Sequence, residues 1–228
     1  MQADASQADE ALLKLTNLVD SDPGIRETLR RVHFAELPTV YPPTSQAVFA
    51  IASRLTPANA SVDLHLRVVK SAILLFDLGT VLLLWRVLVL RHMHPAWTIS
   101  YAWSPLVLKE FANSGHLDVI TVCLTLASIL WLLPVRGRRP SIMQLLVSSL
   151  LAGFAVGGKL YPILLFPLSI VYLARQYDAR RALLWSIGAA LSTGLALAPM
   201  LTATQTIHTG DHLPFKPTHY RRALATRM

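Results

Sequence analysis

The sequence predicts an all-α, polytopic integral membrane protein, and two observations support this fold class. Apolar residues make up 53% of the 228 residues and charged residues only 15%, with a mean hydropathy of +0.46. This composition does not suit a surface solvated by water, so the bilayer is the expected solvent. The apolar residues also collect in about six runs that can form helices, which predicts a helical bundle in the membrane.

The chain begins with a polar segment, residues 1–37, which is acidic at its start. It lacks the basic region followed by an apolar region that marks a signal peptide. Leucines at helical spacing predict a short amphipathic surface helix within it. A membrane domain is expected over 38–203, and it opens with Tyr41-Pro42-Pro43, where the prolines favour extended or turn backbone. Residues 45–55 are too few to cross and are predicted to form an interfacial or re-entrant helix.

The predicted hydrophobic segments follow in order, separated by short polar or basic loops. They cover 66–90, 97–108, 119–133, 142–156, 163–173 and 183–201. Gly194 and Pro199 in the last segment are tolerable, because helices in lipid accommodate such residues. Several segments are shorter than the roughly 20 residues needed to cross, so one or two are expected to be half-helices. Residues 204–228 are predicted to be a polar tail.

The arginines predict the orientation of these segments. Consecutive loops of a membrane protein lie on opposite sides of the bilayer. If the loops are assigned in this way, eight arginines lie on one side: Arg86, Arg91, Arg136, Arg138, Arg139, Arg175, Arg180 and Arg181. Short loops rich in Lys and Arg remain in the cytoplasm, so this side is predicted to be cytoplasmic. The polar insert 110–118, the glycine break 157–161 and both polar ends then share the opposite face. That convergence predicts a site on the non-cytoplasmic side.

The charge and the single cysteine exclude several classes of protein. A net charge of +8 would suggest nucleic acid binding in a soluble protein, but here the arginines lie between apolar runs and set orientation. No nucleic acid partner is therefore predicted. Cys123 lies inside an apolar run, so neither a disulfide framework nor a cysteine zinc site is expected. The histidines form spaced pairs without further ligands nearby, and no metal site or cofactor is predicted from His92, His94, His208 and His212.

The polar insert 110–118, between the second and third predicted segments, is expected to bring two carboxylates and an imidazole to one interfacial pocket. Glu110, His116 and Asp118 flank a Ser114-Gly115 turn. They could hold a metal, act as acid and base, or bind a polar substrate. The alternative is that Asp118 or Ser114 merely caps the following helix.

Glu110 needs a different explanation from capping. A carboxylate at the C-terminal end of a helix opposes the helix dipole, so a cationic partner is expected, from Lys109 or Lys159. Lys159 stands beside Gly157 and Gly158, which would let a phosphate approach the backbone closely. The alternative is an ordinary lysine whose ammonium extends to the interface.

Three further features have more than one interpretation. The spacing 153–159 fits a phosphate loop, but Leu160 replaces the required Ser or Thr and a membrane helix precedes it, so a nucleotide loop is rejected. Asp77 lies near the middle of a predicted span, where it is either functional or paired with a polar group of a neighbouring helix. Tyr41 with its two prolines could shape an aromatic wall or simply a turn.

Three stretches in this order and spacing carry a resemblance to a known family. They are Glu-Leu-Pro-Thr-Val-Tyr-Pro-Pro at 36–43, Trp-Ser-Pro-Leu-Val-Leu-Lys-Glu-Phe-Ala-Asn-Ser-Gly-His-Leu-Asp at 103–118, and Gly-Lys-Leu-Tyr-Pro-Ile-Leu-Leu-Phe-Pro at 158–167. Over about residues 29–200 the chain resembles the bacterial mannosyltransferase-like branch of the GT-C glycosyltransferases. The middle stretch is the most specific of the three.

The resemblance implies an integral membrane enzyme of the bacterial inner membrane. Such enzymes move a sugar from a polyprenyl phosphate carrier to an acceptor on the periplasmic or external face. It implies that Glu110, His116 and Asp118 line the sugar or acceptor pocket. The predicted catalytic residues are Glu110 and Asp118, and the predicted substrate-binding residues are Tyr41, His116, Lys159 and Tyr161. Lys159 is expected near the carrier phosphate. The expected partners are the lipid bilayer and the polyprenyl phosphate sugar.

The chain departs from the family pattern at both ends. Such enzymes usually begin with a transmembrane helix and an external loop that holds an acidic base, and they continue through several more helices. The chain is therefore expected to be an internal piece, truncated at both ends and without that base. Two alternatives stay open: a transporter or lipid-binding protein with Asp77, Glu110 and Asp118 along its pathway, and an inactive fragment or structural subunit.

Overall fold

The structure, a computed structural model, describes residues 41–57, 60–134 and 137–209, with no account of the side chains at 62, 112 and 201–209. Within these residues the regular secondary structure is helical throughout, which confirms the all-α class. Residues 56–67 belong to a small unit, and the other described residues belong to a larger one. In the small unit Asp63 pairs with Arg67 one turn later, at 2.7 Å. The predicted surface helix within 1–37 and the residues after 209 lie outside the described part.

The first two helices follow the predicted boundaries closely. Helix α1, Pro43–Arg54, begins two residues before the predicted interfacial segment, with Pro42 extended at its N-cap and Pro43 in the first turn. Proline suits this position because the first N–H groups of a helix have no partner within it. Helix α2, Val62–Leu90, is 29 residues long and ends at the basic turn, where His92 has a φ of 55°.

The predicted segment 97–108 does not form one helix. A 3₁₀ turn, Pro95–Thr98, leads into α3, Ile99–Ala102, and then α4, Pro105–Val107, runs directly into a π-helix, Leu108–Asn113. Pro105 explains the interruption, because proline has no N–H to donate and forces the residue before it out of the helical region. Ser104 accordingly has φ −67° and ψ 124°. The prediction of an unbroken helix is wrong here.

A bundle of longer helices forms the second half of the fold. It contains α5, Asp118–Leu132, α6, Ile142–Val156, α7, Phe166–Gln176, and α8, Ala179–Thr209. Helix α6 packs against both α5 and α8, and α7 packs on α8. A 3₁₀ turn, Tyr161–Leu165, replaces the start of the predicted segment 163–173.

Small polar residues join the helices of this bundle. Ser128 and Ser148 each donate to the other's backbone carbonyl at 2.9 Å, which links α5 to α6. Trp185 Nε1 donates to Ser148 Oγ at 2.9 Å, and Ser192 donates to the carbonyl of Ser149 at 2.8 Å, which links α6 to α8. Contacts of this kind are typical of helix packing in membranes, where small residues let backbones approach.

Two helices of the described part are long and apolar enough to cross a membrane: Asp63–Leu90 and Ala179–Met200. Their outer faces carry exposed leucines, and Leu75 and Leu191 are each 70% exposed. Helices α5 and α6 have 15 residues each, fewer than the roughly 20 that span the hydrocarbon core. The count of six spans therefore stays a prediction.

Candidate functional site

The polar insert is built around the π-helix and a glycine turn. The backbone N–H of Ser114 donates to the carbonyl of Lys109, and that of His116 to the carbonyl of Glu110, both at 2.9 Å. Gly115 between them has a φ of 70°, a left-handed conformation that glycine adopts without strain. This closure folds the chain back so that His116 lies next to Glu110.

The side chains of these two residues form a pair. His116 Nε2 lies 3.0 Å from Glu110 Oε2, and the side chains are 52% and 32% exposed. The partner of Glu110 is therefore His116, and the expectation of Lys109 or Lys159 is wrong. A carboxylate hydrogen-bonded to an imidazole can accept and pass on a proton. π-Helical turns are frequent at functional sites.

Asp118 makes a second pair with Lys159. Asp118 is the first residue of α5, and the N-cap position belongs to Leu117, so the interpretation of Asp118 as the cap is wrong. Its Oδ1 contacts Lys159 Nζ across the gap between two elements. The dipole of α5 also favours a carboxylate at this end. Lys159 is thus bound to a carboxylate, which the interpretation as a simple interfacial lysine does not explain.

The glycines before Lys159 admit neighbouring protein atoms. The N–H of Thr44 donates to the carbonyl of Gly157 at 2.9 Å, and Ser45 Oγ donates to that of Gly158 at 3.2 Å. A Cβ on Gly157 would lie 2.4 Å from Thr44 Oγ1, and one on Gly158 would lie 2.5 Å from Thr121 Oγ1. The close approach expected for a phosphate is therefore taken by side chains of α1 and α5.

Two exposed tyrosines belong to the same stretches. Tyr41 and Tyr161 are 44% and 45% exposed, and Gln46 Nε2 donates to the carbonyl of Tyr41 at 2.6 Å. Partial burial raises the pKa of the Tyr161 phenol, and the charge of Asp118 raises it further. The phenol of Tyr161 therefore stays protonated at neutral pH and can donate a hydrogen bond close to the Asp118–Lys159 pair.

A cluster of buried apolar side chains packs against the insert. Its buried members are Ile73 of α2 and three residues at the start of α5 or just before it: Leu117, Val119 and Ile120. Phe111 of the π-helix packs against them, together with side chains of α1. The two ion pairs thus rest on helices that are fixed by packing, although the pairs themselves are half-exposed.

Two other sequence candidates lie apart from this arrangement. Asp77 Oδ1 accepts a hydrogen bond from the Tyr101 hydroxyl at 2.9 Å, which agrees with the interpretation that it pairs with a neighbouring element. His94 Nδ1 accepts from the N–H of Ala96 at 3.2 Å and so caps a turn. Among the described residues no group of three or more possible metal ligands is found.

The family follows from a comparison with known proteins. A family model for glycosyltransferase family 87 matches residues 39–210, most of the chain. The chain belongs to glycosyltransferase family 87. No curated protein and no solved structure matches it. The matched stretch contains every predicted site residue and both ion pairs.

Membership in family 87 confirms part of the expectation from the sequence. It supports a membrane glycosyltransferase of the GT-C type, and the two long apolar helices agree with a membrane protein. The mannosyltransferase-like branch, the polyprenyl phosphate donor and the face of the membrane stay predictions. So do the roles of the individual site residues.

Sequence reasoning missed one residue that contacts the site of this family 87 chain. Lys70 Nζ donates to the backbone carbonyl of Asn113 at 3.2 Å. The available signal was a lysine within a predicted spanning segment, which is costly unless it has a partner. Sequence spacing alone could not connect Lys70 to an insert more than 40 residues later.

Proposed function

We propose that this family 87 chain, alone or within a longer protein, transfers a sugar from a polyprenyl phosphate carrier to an acceptor hydroxyl. The expected sugar is mannose, by resemblance, and the expected location is the periplasmic or external face of a bacterial inner membrane. The observation that carries the proposal is the pair of carboxylates in one insert, each with a different partner: Glu110 with His116, and Asp118 with Lys159.

The two pairs suit the two charge changes of such a reaction. The acceptor oxygen forms a bond to C1 of the sugar while the bond from C1 to the carrier phosphate oxygen breaks. The acceptor proton passes to a carboxylate, for which Glu110 is one candidate because His116 can orient it and share the proton. The departing carrier gains a negative charge on its phosphate, and the ammonium of Lys159 can stabilise it.

Lys159 can influence both the departure of the carrier phosphate and the transfer of the acceptor proton, because its partner in the free protein is Asp118. A carrier phosphate that attracts Lys159 loosens this pair and leaves Asp118 available to accept a proton. Half-exposed ion pairs contribute only about 0.2–1 kcal/mol, so the exchange of partners is inexpensive. The apolar helices and the bilayer would hold the polyprenyl chain.

A transport pathway lined by Asp77, Glu110 and Asp118 has less support. Asp77 accepts a hydrogen bond from Tyr101, whereas Glu110 pairs with His116 and Asp118 pairs with Lys159. The family match also favours a glycosyltransferase over a transporter.

The proposal is tested with isosteric variants of the two carboxylates. Glu110→Gln and Asp118→Asn should each lower transfer of radiolabelled mannose from polyprenyl phosphate mannose by about 100-fold or more, as expected for a positioned acid–base group. The assay uses membranes that express the complete gene product, and the protein level should not change.

Asp178→Asn is the matched control. Asp178 is also a half-buried carboxylate paired with a cation, Arg181, but it lies in the basic loop before α8. Its variant should keep nearly parental transfer. Parental transfer by both insert variants would reject the catalytic assignment, and equal loss in all three would indicate a general effect of breaking ion pairs.

A further inference from the structure

Lys70 and Ile73 present one face of α2 to the polar insert. They lie one helical turn apart, so their side chains share a side of the helix. Ile73 is 2% exposed and belongs to the apolar cluster with Leu117 beneath the site. Lys70 therefore stands at the edge of this cluster, with its ammonium directed at the insert.

The ammonium of Lys70 contacts the C-terminal end of the π-helix. Its Nζ donates to the carbonyl of Asn113 at 3.2 Å, and Asn113 is the last residue of that helix. Carbonyls at a helix C-terminus lack partners within the helix and carry partial negative charge, so an ammonium is favourable there. The cation thus stabilises the point where the π-helix gives way to the turn.

The stem of Lys70 also lies along the turn itself. A Cβ on Gly115 would lie 3.5 Å from Ile73 Cδ1 and 4.0 Å from Lys70 Cγ. The turn is therefore in van der Waals range of both residues of α2. π-Helices are rare and usually no longer than a single turn, and half-exposed ion pairs contribute little to stability. The insert therefore needs contacts from outside to keep one conformation.

We propose that Lys70 is a positioning residue of the site, which clamps the end of the π-helix and thereby fixes Glu110 and His116 relative to Asp118. The effect on transfer rests on the proposed function, whereas the clamp itself does not. Lys70 acts through the backbone of Asn113, so its removal should loosen the insert without removing a group that touches substrate.

Hydrogen exchange measures the clamp without any activity. The amides of Ser114 and His116 are protected by their bonds within the insert, and they exchange when it opens. In Lys70→Met a peptide covering 108–118 should exchange about 10-fold faster, the equivalent of losing one charge-assisted hydrogen bond at a partly exposed site. Lys70→Arg should keep most of the protection, since it retains a cationic donor.

Two controls separate the clamp from a general loss of structure. Arg86→Met removes a cation from the same helix, about 24 Å away along its axis, and should leave 108–118 unchanged. A peptide from α6 should exchange equally in all variants. Unchanged exchange of 108–118 in Lys70→Met, or faster exchange of α6 as well, would overturn the proposal.

Kinetics then test the positioning role. Lys70→Met should lower kcat with little change in the KM for polyprenyl phosphate mannose, and it should lower transfer much less when Glu110→Gln is already present, because both act through one element. A raised KM with unchanged kcat would make Lys70 a phosphate ligand and overturn the positioning role. If Glu110→Gln and Asp118→Asn are silent while exchange responds to Lys70→Met, the proposed function fails and the clamp stands.

Discussion

Gly158→Ala tests whether the break before Lys159 is held by close packing. The added Cβ would lie 2.5 Å from Thr121 Oγ1, whereas real Cβ atoms do not approach a heavy atom closer than 3.0 Å. Thr121 is fully buried, and its branched side chain has few alternative rotamers within a helix. The Thr121 side chain or the backbone around it must therefore shift.

The size of the effect follows from these contacts. Adding a methyl group to a well-packed site costs about 1–3 kcal/mol, and the lower flexibility of the unfolded alanine chain returns about 0.4–1 kcal/mol. The midpoints of these two ranges leave a net loss of about 1.3 kcal/mol, which corresponds to a Tm lower by about 3–5 °C for a chain of this size.

Detergent-solubilised protein provides the measurement, with the temperature of half-loss of the monodisperse species as the readout. Thr121→Ala removes the clashing oxygen, and the next contact of the new Cβ is then the Ala155 carbonyl at 3.3 Å, so the double variant should recover most of the loss. Gly194→Ala is the matched control, because its Cβ would meet nothing within 4 Å. If Gly158→Ala melts like the parent, or if Thr121→Ala does not restore it, the packing argument is wrong.

Two predictions concern orientation and the carrier. In a Cys123→Ala background a membrane-impermeant thiol reagent added outside should label Ser114→Cys but not Arg138→Cys, both at exposed positions; labelling at Arg138→Cys alone would reverse the topology. Lys159→Ala should lower kcat/KM for polyprenyl phosphate mannose about 10-fold or more, while Lys159→Arg keeps part of the parental value because the charge is retained. Parental kinetics for Lys159→Ala would leave it no role beyond its pair with Asp118.

Several helix boundaries could be predicted from the apolar runs, because these helices end where apolar residues give way to polar or turn-forming residues. The run at 142–156 coincides with α6, and α5 differs from its predicted range by one residue at each end. The prediction fails most clearly at 97–108, where apolar composition concealed the effect of Pro105. The last helix also begins four residues before its predicted range 183–201 and ends eight residues after it, within the predicted polar tail. Composition shows that a segment is apolar, while one proline decides whether it is a single helix.

The site shows a similar division. The residue types and the glycine turn could be read from the sequence, and the structure brings Glu110, His116, Asp118 and Lys159 into two pairs. The choice of partners could not be read, because it depends on the Gly115 conformation and on how α6 ends beside α5. The sequence also could not show what occupies the space beside Gly157 and Gly158, because the atoms that need it belong to Thr44 and Thr121, which are distant in sequence.

The charges around the insert connect these observations to the proposed reaction. Glu110 and Asp118 contribute two negative charges, and Lys159 and Lys70 place two positive charges beside the insert. These cations favour binding of the single negative charge of the proposed polyprenyl phosphate sugar, which the two carboxylates alone would repel. The charge that develops on the leaving phosphate then falls beside Lys159, while the proton released by the acceptor removes one carboxylate charge. In the proposed reaction the ammonium of Lys159 attracts the phosphate more strongly as the bond to C1 breaks, so it stabilises the transition state more than the ground state.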